Sequence, residues 1–303
     1  MERRSPVGTA FMTAYLRGYH ALHDDPKIID DSLALGLLPE DVRQGLEHHL
    51  ANTSSQMAPQ HAGAGTDYDA ALRMGVRTMA GPILARARYV EDRLGEAVRQ
   101  GVSQYVLLGA GLDTFAFRRP DLTDRIRVFE LDLPAMQEAK QMLLARAGLA
   151  RPDCLHFVPV DFTEQSLASD LARSAYDPTQ MTFFSWTGVT HYLPMEAIHT
   201  TLKDLVRISA SGSEIVFDYW DKSAFDPDRA SNRVKSLIAS TRSIGEPIIT
   251  GLDSSSLESE MSGLGLRLIE NLGPDEIKQR YLNICGGAFS ASEHVHLACA
   301  AVV

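Results

Sequence analysis

The stretch Val106-Leu107-Leu108-Gly109-Ala110-Gly111-Leu112-Asp113-Thr114 joins an apolar run typical of a buried strand to a turn that holds two glycines. Glycine adopts backbone conformations that other residues avoid, and its missing side chain lets a ligand approach the backbone. In a doubly wound α/β sheet, the first such turn lies where ligands bind. The sequence therefore predicts a ligand site directly after this strand, with an ordinary strand-to-helix turn as the alternative.

Short runs rich in β-branched and aromatic residues alternate with helical patterns around this turn. The predicted strands span residues 104–108, 126–130, 155–160, 182–185 and 214–218. The predicted helices between them span residues 135–147, 164–173 and 195–208. Neighbouring parallel strands require such crossovers. Two further runs extend the sheet, 266–271 and, as an edge strand, 295–303. The pattern predicts a doubly wound, mostly parallel, seven-stranded α/β sheet.

The first hundred residues carry helical signals and no convincing strand. Apolar residues recur there at three- and four-residue spacing, as in Phe11, Tyr15 and Tyr19. A loop is predicted at 52–65, and a helix from about Asp67 to Gln100 that is broken around Gly81-Pro82. We therefore separate a helical region, residues 1–100, from an α/β core, residues 101–303.

Composition excludes several classes of partner. The chain has 303 residues, with 29 Lys and Arg against 39 Asp and Glu and a net charge of −10, which argues against nucleic acid. Neither a signal peptide nor a membrane span is visible, and three cysteines at no metal-like spacing suit a reducing cytoplasm. The pairs His20/His23 and His294/His296 lack a third ligand, so no metal is predicted. The oligomeric state stays open.

Acidic residues follow the next two predicted strands. Glu130 lies 130 − 109 = 21 residues after Gly109 and is followed by Asp132, near the spacing at which an acid meets ribose hydroxyls. Asp161-Phe162 offers an acceptor beside an aromatic ring, as adenine requires. Thr114 stands where a dinucleotide fingerprint has a third small residue, which disfavours pyrophosphate. These strand ends suit an adenosine, although solvated strand ends remain the simpler alternative.

Four motifs together resemble the leucine carboxyl methyltransferase family. They are Arg86-Ala87-Arg88-Tyr89-Val90-Glu91-Asp92, Leu108 to Thr114, Phe129 to Pro134, and Trp186 to Leu193. The similarity extends from about Thr9 to Tyr281 and is closer to the bacterial branch that methylates polyketides and other secondary metabolites. The resemblance implies a class I fold that binds S-adenosylmethionine, releases S-adenosylhomocysteine and carries a helical N-terminal cap. It also implies substrate contacts from that cap and from an insertion around residues 221–262.

The resemblance implies cofactor contacts position by position. Arg86 is expected to hold the methionyl carboxylate through its rigid guanidinium. The turn of Gly109, Gly111 and Asp113 is expected to line the methionine and ribose. The remaining expected contacts are Asp132 with Glu130 at the ribose, and Asp161 with Phe162 at the adenine. The founding eukaryotic enzymes have a Glu before Gly-Val where this chain has Thr187, so that contact is missing, and Trp186 is expected to supply an aromatic wall.

The predicted reaction is O-methylation of a small-molecule or peptide-like acceptor. A carboxylate is ionised at neutral pH and needs no base, whereas a phenol with a pKa of about 10 benefits from one. His191 and Tyr192 follow the fourth strand and are the candidates for contacting the acceptor, and Arg17 is a candidate for neutralising its carboxylate. The alternatives are methylation of a hydroxyl, an NAD-type oxidoreductase and a non-catalytic cofactor-binding module.

Overall fold

A computed structural model describes residues 8–57, 67–162 and 167–303. The strands are β1 (Gln104–Leu108), β2 (Arg127–Asp132), β3 (Leu155–Pro159), β4 (Thr182–Trp186), β5 (Glu214–Trp220), β6 (Leu266–Leu272) and β7 (Val295–Val302). They form one sheet in the order β3-β2-β1-β4-β5-β7-β6. β7 pairs antiparallel with both β5 and β6, and the other pairings in that sheet are parallel. The predicted mostly parallel, seven-stranded α/β fold is confirmed.

Helices pack against both faces of the sheet. The α-helices are α1 (Gly8–His23), α2 (Ser32–Leu37), α3 (Glu40–Met57), α4 (Tyr68–Arg99), α5 (Phe115–Arg118), α6 (Pro120–Thr123), α7 (Pro134–Arg146), α8 (Leu167–Ala172), α9 (Met195–Arg207), α10 (Asn232–Ser243), α11 (Leu257–Gly263) and α12 (Pro274–Ile277). Shorter 3₁₀ segments span Thr190–Tyr192, Lys222–Phe225 and Asn283–Cys285, and a π-helical turn spans Lys278–Leu282.

The central strands are buried along their whole length. Every residue of β1, β4 and β5 is buried, because helices pack against both faces, as in parallel sheets generally. One apolar cluster joins α1 and α4 to one face, and a second joins α9 and α11 to the other. This packing fixes the carboxyl ends of β1, β2 and β4 beside one another. None of the helices in the described ranges is long and apolar enough to span a bilayer.

The prediction that the last strand forms an edge is wrong. β7 lies between β5 and β6 and pairs with both, so β6 is the edge strand. The reason is visible in its composition: Leu297 to Val302 is small, apolar and buried throughout. A run without polar alternation is typical of a strand that is covered on both faces and paired on both sides.

The predicted break at Gly81-Pro82 is also wrong, because α4 runs without interruption from Tyr68 to Arg99. Proline deprives the carbonyl four residues earlier of its helical hydrogen bond. That carbonyl belongs to Thr78, and it accepts instead from Arg233 Nη2 at 2.6 Å. Gly81 lets the backbone of Ser290 approach, since an added Cβ would lie 2.1 Å from the Ser290 carbonyl oxygen. Tertiary contacts therefore preserve the helix.

Two other predicted boundaries differ from the structure. Residues 52–57 continue α3, whereas a loop was predicted from residue 52; residues 58–65 of that loop lie outside the described ranges. The helix predicted at 164–173 is α8, Leu167–Ala172, and residues 163–166 are likewise not described. Both errors concern helix ends, where sequence signals are weakest.

Candidate active site

A cavity of about 700 Å³ opens at the carboxyl ends of β1, β2 and β4. Helices α1, α4 and α10 cover it, together with the segment 245–248. The predicted site residues in its wall are Arg17, Arg86, Gly109, Gly111, Asp113, Asp132, Asp161, Phe162, His191 and Tyr192. Glu130 and Trp186 are the two predicted site residues that do not line it. The cavity therefore brings most of the sequence-selected side chains to one place.

The glycine turn forms the floor of the cavity in a conformation that suits glycine. Gly109 and Gly111 have φ angles of +75° and +51°, in the region that side chains disfavour. A Cβ on Gly109 would lie 2.4 Å from Val189 Cγ2. The amides of Gly109 and Ala110 donate to the Leu131 carbonyl at 2.8 and 3.1 Å. These bonds hold the turn against the end of β2 and keep its inner surface free of side chains.

Asp132 closes the turn from the neighbouring strand. Its Oδ2 accepts from the Gly111 amide at 2.7 Å, and its Oδ1 accepts from the Leu133 amide at 2.8 Å. Burial raises the pKa of Asp132, and the two backbone donors oppose that shift. Each carboxylate oxygen has a second lone pair, so both oxygens remain able to accept from hydroxyl groups of a ligand.

Glu130 lies behind the cavity, which corrects its predicted role at the ribose. Its side chain is 1% exposed and forms an ion pair with Lys140 Nζ at 2.5 Å. Burial raises the pKa of Glu130 to about 7, and Lys140 opposes that shift. Alternation along β2 puts Glu130 on the same face as Asp132, but two residues deeper under the sheet edge. The spacing from the glycine turn predicted both Glu130 and Asp132, but only Asp132 lines the cavity.

Arg86 enters the cavity from α4 and is held by an acid that the sequence analysis missed. Its Nη1 donates to Asp218 Oδ2 at 3.1 Å, and Asp218 Oδ1 accepts from the Gly188 amide at 2.6 Å. A Cβ on Gly188, which has a φ of +76°, would lie 2.7 Å from the guanidinium. Asp218 is 3% exposed in its side chain. Asp218 lies inside the apolar strand β5 and belongs to no recognisable motif, so the sequence analysis did not identify it.

The adenine side of the predicted site is only partly assembled as expected. Asp161 and Phe162 line the cavity beyond β3. Trp186 does not, because its side chain is fully buried in the core and packs 6.3 Å from Phe162, ring centre to ring centre. Ser185 and Thr187 flank it and do line the cavity. Since successive strand residues face opposite sides, Trp186 points away from the cavity.

Arg17 anchors the cap helix α1 to the glycine turn. Its Nε donates to Asp31 Oδ2 and its Nη2 to the Leu112 carbonyl, both at 2.8 Å. Asp31 also accepts from the Thr114 hydroxyl at 2.5 Å and lies 3.6 Å from Arg118. Burial favours the neutral acid, but the two guanidinium groups lower the pKa of Asp31. Arg17 thus lines the cavity with two of its nitrogens already bonded to the protein, and its role at the acceptor stays a prediction.

His191 and Tyr192 form a wall of the cavity opposite the glycine turn. Burial lowers the pKa of His191 to about 4 and raises that of Tyr192 to about 12, so both are neutral at pH 7. The two rings are tilted by 52° with their centres 4.1 Å apart, and the Trp220 ring centre lies 5.9 Å from that of His191. No residue in the described ranges hydrogen-bonds His191 Nδ1. This wall presents uncharged groups.

The part of the cavity beyond His191 comes from segments that no motif marked. It is lined by Glu246 and by polar and apolar residues of α10, among them Arg233 and Ser236. Glu246 Oε2 is buried and has no hydrogen-bond partner among the residues that the structure describes. We call this part, from His191 to α10, the acceptor half, and the part from the glycine turn to Arg86 the cofactor half. Across the described ranges, no three His, Cys, Asp or Glu side chains are grouped to hold a metal ion.

Comparison with protein families and relatives gives a consistent result. A family profile described as leucine carboxyl methyltransferase matches residues 10–206. YktD of Bacillus subtilis (strain 168), described as a candidate S-adenosyl-L-methionine-dependent methyltransferase, is 34% identical over 301 residues, which cover 98% of each chain. A protein of Parafrankia sp. (strain EAN1pec) with the same description is 32% identical over 69% of this chain and 62% of its own.

Solved structures share the fold at low sequence identity. A DUF574 family protein from Streptomyces avermitilis superposes with a TM-score of 0.56 at 14% identity, covering 96% of this chain and 97% of its own. A candidate methyltransferase from Thermobifida fusca superposes with a TM-score of 0.54 at 17% identity, covering 95% and 94%. These similarities concern the arrangement of the sheet and its helices.

Proposed function

The chain belongs to the leucine carboxyl methyltransferase family, and we propose that it methylates a carboxylate of a small-molecule acceptor. Family membership makes it an S-adenosylmethionine-dependent methyltransferase and sets the oxidoreductase alternative aside. What the family leaves open is the acceptor, and with it the atom that receives the methyl group. The proposal assigns an oxygen of a carboxylate, in a metabolite small enough to enter the acceptor half.

The residues of the cofactor half fit S-adenosylmethionine. Gly109 and Gly111 line the cavity without side chains, and Asp132 keeps acceptor capacity for two ribose hydroxyls. Arg86 has guanidinium donors beyond the one that Asp218 uses, as a methionyl carboxylate requires. The cofactor supplies an electrophilic methyl carbon, whose transfer forms a C–O bond as the S–C bond breaks and leaves S-adenosylhomocysteine.

The observation that supports the choice of a carboxylate is the burial of His191 against Tyr192 and Trp220. A side chain with a pKa of about 4 is a poor base for a phenol, whose proton leaves with a pKa of about 10. A carboxylate is already ionised and needs no proton removed. The wall formed by His191 and Tyr192 therefore has to orient an anion rather than remove a proton from a hydroxyl. Neutral side chains are sufficient for that task.

His191 orients the acceptor by donating a hydrogen bond. Its Nδ1 is buried without a partner among the described residues, whereas Nε2 is the ring nitrogen left accessible. An unpaired buried N–H is less tolerated than an unpaired acceptor, so the proton belongs on Nε2. The ring is locked between Tyr192 and Trp220. An N–H held in this way can bind one carboxylate oxygen while the other oxygen stays free to react.

Labelled methyl transfer tests the proposal directly. The protein is incubated with methyl-labelled S-adenosylmethionine and with matched sets of carboxylic acids and phenols. We expect label that alkali releases as methanol, as from a methyl ester, and a rate that is flat from about pH 6 to about pH 9. An alkali-stable ether, or a rate that rises with a phenol-like midpoint, contradicts the proposal. Cofactor binding without any methylated product would favour a non-catalytic module.

A further inference from the structure

A second pocket, of about 330 Å³, adjoins the acceptor half of the cavity. We call it the arginine pocket, because its charged wall residues, within the described part of the chain, are Arg73, Arg77 and Arg233. The chain as a whole has a net charge of −10, so three cations and no acid among the described lining residues of one small pocket run against the composition. Ser290 adds a hydroxyl to the same wall.

Two of the cations come from one face of α4. Arg73 and Arg77 are four residues apart, a spacing that puts like charges side by side on a helix and destabilises it. Arg73 Nη2 lies 4.0 Å from Asp67 Oδ2, and both side chains of this ion pair are exposed. Arg77 has no ion pair with any residue that the structure describes. An anion between the two guanidinium groups would remove their repulsion.

The third cation connects the pocket with the cavity. Arg233 reaches across from α10 and donates through Nη2 to the Thr78 carbonyl that Pro82 leaves free. Arg233 and Thr78 belong to both walls. The contact fixes the guanidinium at the junction and leaves further N–H donors available, since the group carries five. The arginine pocket and the acceptor half are therefore adjacent and share the Arg233–Thr78 contact as a common wall.

We propose that the arginine pocket binds an anionic group, a carboxylate or a phosphate, which the acceptor carries at the end remote from the methylated carboxylate. That the anionic group belongs to the acceptor rests on the proposed function. That the pocket binds an anion rests on the pocket alone. Guanidinium groups bind planar and tetrahedral oxyanions through paired N–H donors. The acceptor is thus a molecule with two anionic ends, of which one is methylated and the other is anchored.

Titration with inorganic phosphate tests the pocket without any acceptor. The protein is saturated with S-adenosylhomocysteine and kept at low ionic strength, because salt screens exposed charges. We expect the double variant R73Q/R77Q to bind phosphate at least about tenfold more weakly than the unmodified protein. The matched control is R99Q, which changes an exposed arginine at the end of the same helix, outside both walls. Equal phosphate affinity in R73Q/R77Q and the unmodified protein overturns the proposal.

Paired acceptors test the link to the reaction. Dicarboxylic acids of increasing length are compared with their half-amides, which keep one carboxylate. We expect kcat/KM to favour the diacid at a preferred length, and this ratio to fall at least about tenfold in R73Q/R77Q but not in R99Q. Phosphate should compete with the diacid. If phosphate binds without slowing the diacid, the pocket holds a free ion and the proposal fails. If no acid is methylated, the proposed function fails, while the phosphate titration still reports on the pocket.

Discussion

Asp132 and Arg86 in the cofactor half of the cavity are bonded to the protein, whereas two buried polar atoms in the acceptor half are not. Asp132 accepts from two backbone amides, and Arg86 is paired with Asp218. His191 Nδ1 and Glu246 Oε2 have no partner among the described residues. Buried polar groups are normally hydrogen-bonded. The difference indicates that the protein organises the cofactor half in advance, whereas it leaves buried polar atoms of the acceptor half unpaired.

One part of the cofactor half, the glycine turn with Asp132, is compact in the sequence, whereas the Arg86–Asp218 pair, 132 residues apart, and the acceptor half are not. The glycine turn and Asp132 lie within 24 residues, from Gly109 to Asp132. The acceptor half joins His191 to α10 and Glu246, with Met79 and Thr78 from α4. A local motif can encode the first arrangement, but only the tertiary fold assembles the second. The following experiments test this contrast, beginning with the half that is already bonded.

Replacing Asp132 by Ala has the largest expected effect. The variant loses the acceptor for the Gly111 and Leu133 amides as well as the predicted ribose contact. With two charge-assisted bonds at stake, we expect cofactor affinity to fall roughly 100- to 1,000-fold, about 3 to 4 kcal/mol. Calorimetric titration with S-adenosylhomocysteine measures this. Glu130→Gln is the matched control, because Glu130 does not line the cavity, and it should leave affinity within severalfold. The reverse ranking of the two acids would contradict the site.

Replacing Gly109 by Ala probes the floor of the same half. A side chain at positive φ costs about 1 to 2 kcal/mol, and contact with Val189 at 2.4 Å adds overpacking. We expect the free energy of unfolding to fall by about 2 to 3 kcal/mol. Gly148→Ala is the control, since Gly148 has a φ of +71° and nothing within 4 Å of an added Cβ. Thermal and denaturant unfolding measure both, and an equal cost would mean that Val189 yields without strain.

The pH dependence of stability reports on the acceptor half. The pKa of His191 falls from about 6.5 when unfolded to about 4 when folded, so the unfolded chain binds more protons between these values. Its contribution is complete above about pH 6.5 and declines towards pH 4, by about 2 kcal/mol from pH 7 to pH 5. Glu130, with a raised pKa, acts in the opposite sense. The difference between the unmodified protein and His191→Gln isolates His191, and identical pH curves would refute its buried neutral state.

Two substitutions of His191 have the smallest expected effect and separate a donor from a base. Gln keeps an N–H donor, whereas Met keeps bulk without one. We expect kcat/KM for a methylated acid to fall about threefold in His191→Gln and about tenfold in His191→Met, with cofactor affinity unchanged in both. Steady-state kinetics and cofactor titration measure this. Equal losses of several hundredfold in both variants would indicate proton transfer instead.

The sequence predicted the sheet and the cofactor half better than the acceptor half for physical reasons. Buried parallel strands leave unbroken apolar runs, and the glycine turn is local, so β1 and its turn were predicted at the correct residues. Asp218 was missed because a single acid inside the apolar strand β5 resembles no motif. The contact of Arg17 with Asp31 was not predicted, because only the fold brings the two side chains together.

The uninterrupted course of α4 has a consequence for size selection. Arg77 stands at the arginine pocket and Arg86 at the cofactor half, nine residues apart on one helix. At 1.5 Å per residue this separation is about 14 Å along the axis. Because both arginines lie on one unbroken helix, the backbone geometry sets the distance between their Cα atoms. If the acceptor binds the arginine pocket as proposed, we expect this fixed spacing to select diacids by their length.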